Sequence, residues 1–199
     1  MNDEQPDLAK PRPPWAGPLI VSIALAAAGV VLLRAMGRDW WCDCGTLSPW
    51  SWDVWSMHNS QHLVDPYTLS HVLHGLIFYG VLSLIFRGGR PALRFCLALA
   101  LQVTWEVVEN TDRVIQRYRE ETISLNYYGD SILNSLADVT ACMVGYTAAG
   151  LVPVWISAAA FVVVEAVMLV WIRDSLLLNV LMLFWPVEAI KQWQMGGMP

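Results

Sequence analysis

His71 and His74 stand three residues apart, as do Glu106 and Glu109, with Asn110 directly after. Farther along, Asp130, Asn134 and Asp138 follow one another at intervals of four. On a helix, residues three or four apart share a face, so each group projects to one side. Imidazoles and carboxylates presented this way by neighbouring helices form a donor set for zinc, iron or manganese. A divalent metal held there would activate a water for attack on an ester or amide. Without metal, the same groups make a general acid and base. The candidates are therefore Glu106, Glu109, Asp130 and Asp138 for catalysis, and His71 and His74 for metal. Asn110, Asn134, Arg173, Asp174 and Asn179 are candidates for binding. His58 and His62, four apart, form a second metal pair if they lie on a helix; on a loop they are only polar residues.

The elements that must position these residues are apolar. The 199-residue chain is 56% hydrophobic and 15% charged, against about 25% charged in ordinary globular proteins. Its apolar residues come in blocks near twenty long, the length that crosses hydrocarbon as a helix. The fold expected is all-α, a polytopic transmembrane bundle of about six spans. These cover residues 15–33, 69–86, 93–109, 129–151, 154–172 and 175–190. The last is short and contains Trp185-Pro186, which points to a kinked or re-entrant segment. Residues 1–14 read as a disordered tail, and 191–199 as a second tail. Residues 37–68 hold five of the eleven Trp and are expected to lie along the membrane interface, with room for a short amphipathic helix. The first apolar run is too long for a cleaved signal, and Arg34-Ala35-Met36-Gly37 is a poor cleavage site. A net charge of −5 without a basic run argues against nucleic acid as a partner.

Six spans put the ends of the first, third and fifth on the same side as the starts of the second, fourth and sixth. Every candidate from His71 to Asn179 then falls toward that one face. At roughly 1.5 Å per residue, His74 and Glu106 lie about 6–8 Å inside their helix ends, and Asp138 about 12 Å from Asp130. These depths let the side chains meet in one shallow pocket. An ionised carboxylate near mid-membrane costs about 2.5–3.5 kcal/mol, so such residues face a bundle interior, a partner or water. The plain alternative is that they lock helices together by hydrogen bonds. Orientation is open: an inside N-terminus divides the Lys and Arg residues equally between the two sides, and only the compact turn with Arg87, Arg90 and Arg94 favours it.

Other residues carry less. Cys42-Asp43-Cys44 is one residue short of a Cys-x-x-Cys pair. A disulfide across so short a gap would be strained, so the segment reads as a knuckle without chemistry. Cys96 and Cys142 read as packing residues. Glu165 sits in mid-span with no evident partner, and the charges from Arg113 to Glu121 read as a solvated surface.

The chain resembles a family of uncharacterised bacterial inner-membrane proteins filed under a domain of unknown function. The resemblance rests on Cys42-Asp43-Cys44-Gly45, Asn59-Ser60-Gln61-His62, Ser70-His71 with His74-Gly75, and Trp105-Glu106 with Glu109-Asn110. It continues through Thr122-Ile123-Ser124-Leu125, Tyr128-Gly129-Asp130-Ser131, Asn134-Ser135 with Asp138, Trp171-Ile172-Arg173-Asp174, Leu178-Asn179 and Trp185-Pro186. It spans residue 38 to the C-terminus and implies a multi-pass plasma-membrane protein without an assigned activity. More distantly, acidic residues ahead of a Gly-Asp-x-x-x-Asn-x-x-x-Asp helix are similar to VanZ-like membrane proteins, with no residue roles carried over.

Three functions compete on this reading. The first is an enzyme, metal-assisted or acid/base, acting on a lipid-linked substrate. The second is a transport or lipid-binding protein using the same cluster for a cation, proton or headgroup. The third is an assembly protein whose cluster is structural. All three take the lipid bilayer as partner.

Overall fold

The computed structural model describes residues 15–124 and 126–196; the expected N-terminal tail, residues 1–14, lies outside them. Eight helices follow one another: α1 Ala16–Ala35, α2 Thr68–Ile85, α3 Pro91–Glu109, α4 Asp112–Glu121, α5 Ile132–Leu151, α6 Val154–Ile172, α7 Leu176–Phe184 and α8 Glu188–Met195. No β-strand occurs among the described residues; a lone bridge pairs Trp50 with Val64. The chain is all-α.

Four of these helices, α1, α2, α3 and α6, are long and apolar enough to cross a membrane. They coincide with the expected first, second, third and fifth spans. Helix α5 has the length, 20 residues, but its Asn, Ser, Asp and Thr side chains keep it off that group. It starts at Ile132, not at residue 129, because Ser131 is its N-cap and accepts from the Asn134 amide at 3.1 Å. The expected sixth span is two short helices. At nine residues α7 is about 14 Å long, less than half a bilayer core, and Trp185-Pro186 separates it from α8. "About six" spans thus becomes four plus the polar α5, with α7 and α8 too short to cross. Residues 191–195 are helical and not a tail: α8 buries Gln194, whose amide donates to Asp174. The loop expected over residues 110–128 contains α4, an amphipathic helix that buries Ile115 and Tyr118.

Helix α2 packs most closely on α5, with α3 beside both and α1 against α3. Two glycines set the α2–α5 approach. A Cβ on Gly75 would run into the Cys142 carbonyl and the Tyr146 amide, and one on Gly145 into the Val72 backbone. Small residues at facing positions are how helices close on each other where no hydrophobic force drives them together. Helices α1 and α6 are peripheral. Within α6 only Glu165, Met168 and Ile172 are buried, and Val170 is 87% exposed, as a lipid-facing surface requires.

At one end the connections are tight, residues 86–90 and 152–153. At the other, residues 36–67, α4 and α7 form a cap. The long loop holds no helix; it answers the first amides of α5. Ser131 donates to the Ser60 carbonyl at 3.0 Å, and Ile132 to that of Asp39 at 2.8 Å. A helix start leaves four such donors unmet, and here loop backbone meets them.

Candidate functional site

Beneath the cap, the facing sides of α2, α3 and α5 enclose a cluster. His71 comes from α2, Glu106 from α3 and Asp138 from α5, each at most 7% exposed. His71 Nδ1 lies 3.5 Å from Glu106 Oε1, and its Nε2 lies 3.8 Å from Asp138 Oδ2. Gln102, fully buried, ties the group together. Its amide donates to His71 Nδ1 at 2.8 Å and to Glu106 Oε1 at 2.7 Å, and its carbonyl pairs with His74 Nδ1 at 3.2 Å. A His71 Nδ1 that accepts must carry its proton on Nε2, the nitrogen facing Asp138. His74 donates through Nδ1, which leaves its Nε2 lone pair free. Sequence reading passed over Gln102, since one amide in an apolar run does not announce three partners. The signal available was its i, i+4 relation to Glu106.

Glu109, partly buried one turn on, brings a carboxylate oxygen near those of Glu106 and His71. One donor atom from each of the three falls within 4.8 Å of the others. The Tyr118 hydroxyl faces Glu109. A small cavity of about 40 Å³ reaches His71, His74, Glu109, Asp130 and Asp138, room for about three waters at about 10–15 Å³ each. No Lys or Arg lines it. Glu106 Oε2, Glu109 Oε2 and Asp138 Oδ1 are buried without a hydrogen-bond partner. Buried polar atoms are almost always satisfied, so orphaned oxygens of Glu109 and Asp138 on the cavity lining, with that of Glu106 behind His71, suit a cation or water. The donor set fits a divalent metal: nitrogen and oxygen ligands, negative charge, and no competing basic side chain.

Asp130 lines the cavity but is not on α5; it falls just before the Ser131 cap. It accepts from Asn110 at 2.5 Å and from the Tyr127 hydroxyl at 2.9 Å. Burial pushes its carboxyl up from 3.8 to about 6, against those bonds, which hold it down. Burial likewise raises Tyr127, which stays a donor. Asn110 also receives the Asp130 amide at 2.7 Å and donates to the Glu106 carbonyl, so it buckles α3 to the start of α5. Asn134 donates to the His62 carbonyl at 2.7 Å; it anchors the cap. Asp65, which sequence reading did not single out, is buried and accepts from the Ser60, Tyr67 and Thr68 amides, closing the start of α2.

The remaining candidates divide. Asn179 lines the cavity. Asp174 makes a neighbouring, separate group: it accepts from Tyr67 at 3.0 Å, Asn179 at 3.2 Å, Gln194 at 3.2 Å and the Ser175 amide at 2.9 Å. Arg173 is not part of the hollow. It points outward, donating to the Trp193 carbonyl with its guanidinium over that indole. Its left-handed φ of 54° as the residue after α6 turns the side chain away. Glu165 does have partners: its two oxygens accept the Leu176 and Leu177 amides at 2.9 and 3.3 Å, capping α7. His58 and His62 sit on the loop, not on a helix, yet their rings converge at 5.6 Å beside Cys42 and Cys44.

Comparison with known proteins places this arrangement. A family described as "Protein of unknown function (DUF2585)" matches residues 33–196, the region that carries every residue above. A UPF0314 protein of Rhizobium meliloti (strain 1021) is 47% identical over 178 residues, 89% of this chain and 90% of its own. One from Paracoccus denitrificans (strain Pd 1222) is 44% identical over 92% of both chains, and one from Sphingopyxis alaskensis is 45% identical over 89% of this chain and 95% of its own. No solved structure matches. With the match running from the end of α1 through α8, the chain belongs to the DUF2585 family.

Proposed function

We propose that this is a multi-pass inner-membrane enzyme that uses a divalent cation, held by the carboxylates of Glu106 and Glu109 beside His71, to cleave or transfer a group on a lipid-linked substrate. The observation that carries the reading is the set of three buried, partnerless carboxylate oxygens, two on the lining of a cavity without Lys or Arg and the third, of Glu106, beside His71. The cation would supply charge stabilisation and an activated water. The chain's own residues do the rest. Asp138, on the far side of His71, accepts that imidazole's Nε2–H and holds the ring and its tautomer. Gln102 fixes the orientation of both histidines. His74, with its free Nε2, serves as the proton carrier. Trp105, Leu176 and Val180 give the cavity an apolar wall beside its polar one, which suits an amphiphile whose reacting group sits at headgroup depth.

A transport reading loses its deep site. Glu165, the acid nearest mid-span, is committed to the backbone of α7.

Deletion-strain complementation tests the proposal. Glu106→Gln and Asp138→Asn proteins accumulate in the membrane at wild-type level but leave the deletion strain's lipid profile uncorrected, a loss of at least a hundredfold in activity. Glu165→Gln, weakened in its cap by about 1–2 kcal/mol, still corrects it. Full correction by Glu106→Gln sinks the enzyme reading.

A further inference from the structure

We infer that Cys42, Cys44, His58 and His62 form a second, independent metal site, a zinc-type Cys2His2 clasp that pins the loop over the hollow. The four donor atoms lie within 4.8 Å of one another. Cys42 Sγ is 3.4 Å from His58 Nδ1, and Cys44 Sγ is 3.9 Å from His62 Nε2. In the structure Cys42 and Cys44 are joined as a disulfide; the clasp belongs to the reduced pair, formed when a thiol reductant supplies two electrons and two protons and leaves two thiols. Zinc takes thiolate and imidazole ligands tetrahedrally, and a His-x3-His pair is one of its usual spacings.

The surroundings of the ligands separate this from a chance cluster. His62 is buried, 2% exposed, and its Nδ1 lies 2.6 Å from the Ser48 carbonyl. A carbonyl only accepts, so Nδ1 carries the proton and Nε2 presents its lone pair to the cysteines. Fixing one imidazole nitrogen on a carbonyl so that the other can bind is the usual outer support of a metal-ligating histidine. The Cys44 amide donates to Cys42 Sγ at 3.3 Å, a contact that favours thiolate. Trp41 packs edge-on to His62, and its indole N–H donates to the Thr46 carbonyl at 2.8 Å, closing the knuckle. Joined as they are here, the cysteines have no proton to give the His62 lone pair; once reduced, they offer two thiolates beside two imidazoles. A metal satisfies all four donors. Binding displaces two thiol protons, and two thiolates neutralise the dication.

The clasp sits where it governs the roof of the site. His62 holds Asn134 of α5 through its carbonyl, and Ser60, two residues before it, receives the Ser131 amide. Asn59 and Ser60 line the cavity. The inference does not depend on what the hollow catalyses.

Cobalt substitution tests it. Full-length protein, purified in detergent under reducing conditions and stripped with chelator, is titrated with Co²⁺. We expect one equivalent to give sulfur-to-cobalt charge transfer in the near ultraviolet, discharged by one equivalent of Zn²⁺. Cys42→Ser/Cys44→Ser loses the band, and His62→Ala weakens binding at least tenfold. His71→Gln leaves the band unchanged, which separates this site from the hollow. Reduced wild-type protein that shows no charge-transfer band, or a band that survives loss of both cysteines, overturns the proposal. The wild-type spectrum decides the matter even if a variant fails to fold.

Discussion

Two groups of buried acids lie side by side at the same end of the bundle, and they are built differently. Around Asp174 and Glu165 all four carboxylate oxygens have donors: Tyr67, Asn179, Gln194 and the backbone amides of Ser175, Leu176 and Leu177. Around His71 the acids outnumber their donors, and three oxygens have none. Residue type and burial are alike in both. The contrast teaches that an acid inside a membrane protein is told apart by whether its oxygens are satisfied. The first group holds α6, α7 and α8 together. The second group leaves three buried carboxylate oxygens without donors, an arrangement that costs stability and that a bound cation would offset.

The largest effect should come from the frame and not from the acids. Gly75 and Gly145 let α2 and α5 touch backbone to backbone, and His71 and Asp138 sit one and two turns away on those same helices. Gly75→Ala must force the pair apart, because its new methyl meets backbone that cannot yield. We expect a loss of about 3 kcal/mol or more together with loss of activity, read from thermal unfolding in detergent and from complementation. Were Gly75→Ala to leave both untouched, the hollow would not depend on that contact and the frame would be wrongly assigned.

A smaller effect sharpens the other side of the comparison. Burial pushes the Asp174 carboxyl from 3.8 up to about 6, although the bonds from Asn179, Ser175, Tyr67 and Gln194 pull it down. With a raised folded-state value, the native protein holds this proton where the unfolded chain has released it. Its contribution to stability is therefore full below about pH 4 and is lost as pH rises toward 6, then levels. A shift of about two units corresponds to ~3 kcal/mol. Melting midpoints measured from pH 4 to 7 should fall across that window, and Asp174→Asn should fall less steeply. An unchanged slope in the variant would show that the Asp174 group is not as dry as its burial implies.

Much of this was legible in the chain. The spans α1, α2, α3 and α6 are uninterrupted apolar runs, and hydrocarbon imposes a length that sequence displays directly. The i, i+3 and i, i+4 spacings of His71, His74, Glu106 and Glu109 announced shared faces, and topology placed those faces at one end. What stayed hidden depends on partners distant in sequence. Glu165 looked unpartnered because its donors are backbone amides, which every residue has. Gln102 looked like a lone amide until α2 and α3 were side by side. The extent of α4 and α8 was missed because both are short and amphipathic, held by packing of Ile115 and Tyr118 or by the Gln194–Asp174 bond rather than by propensity. The sequence offers His58 and His62 as a weaker metal pair and the Cys42–Cys44 segment as a plain knuckle, since no local rule states that a loop will fold residues 42 and 44 back onto 58 and 62.

The central claim is that the hollow binds a cation, and Mn²⁺ titration of the detergent-solubilised protein, followed by the free-ion paramagnetic resonance signal, tests it most directly. Manganese prefers carboxylate over thiolate ligands, so it reports the acids and not the clasp. The account predicts one ion bound per chain, with affinity reduced at least tenfold in Glu106→Gln and unchanged in Glu165→Gln. Absence of binding, or equal binding by the Glu106→Gln protein, would contradict it.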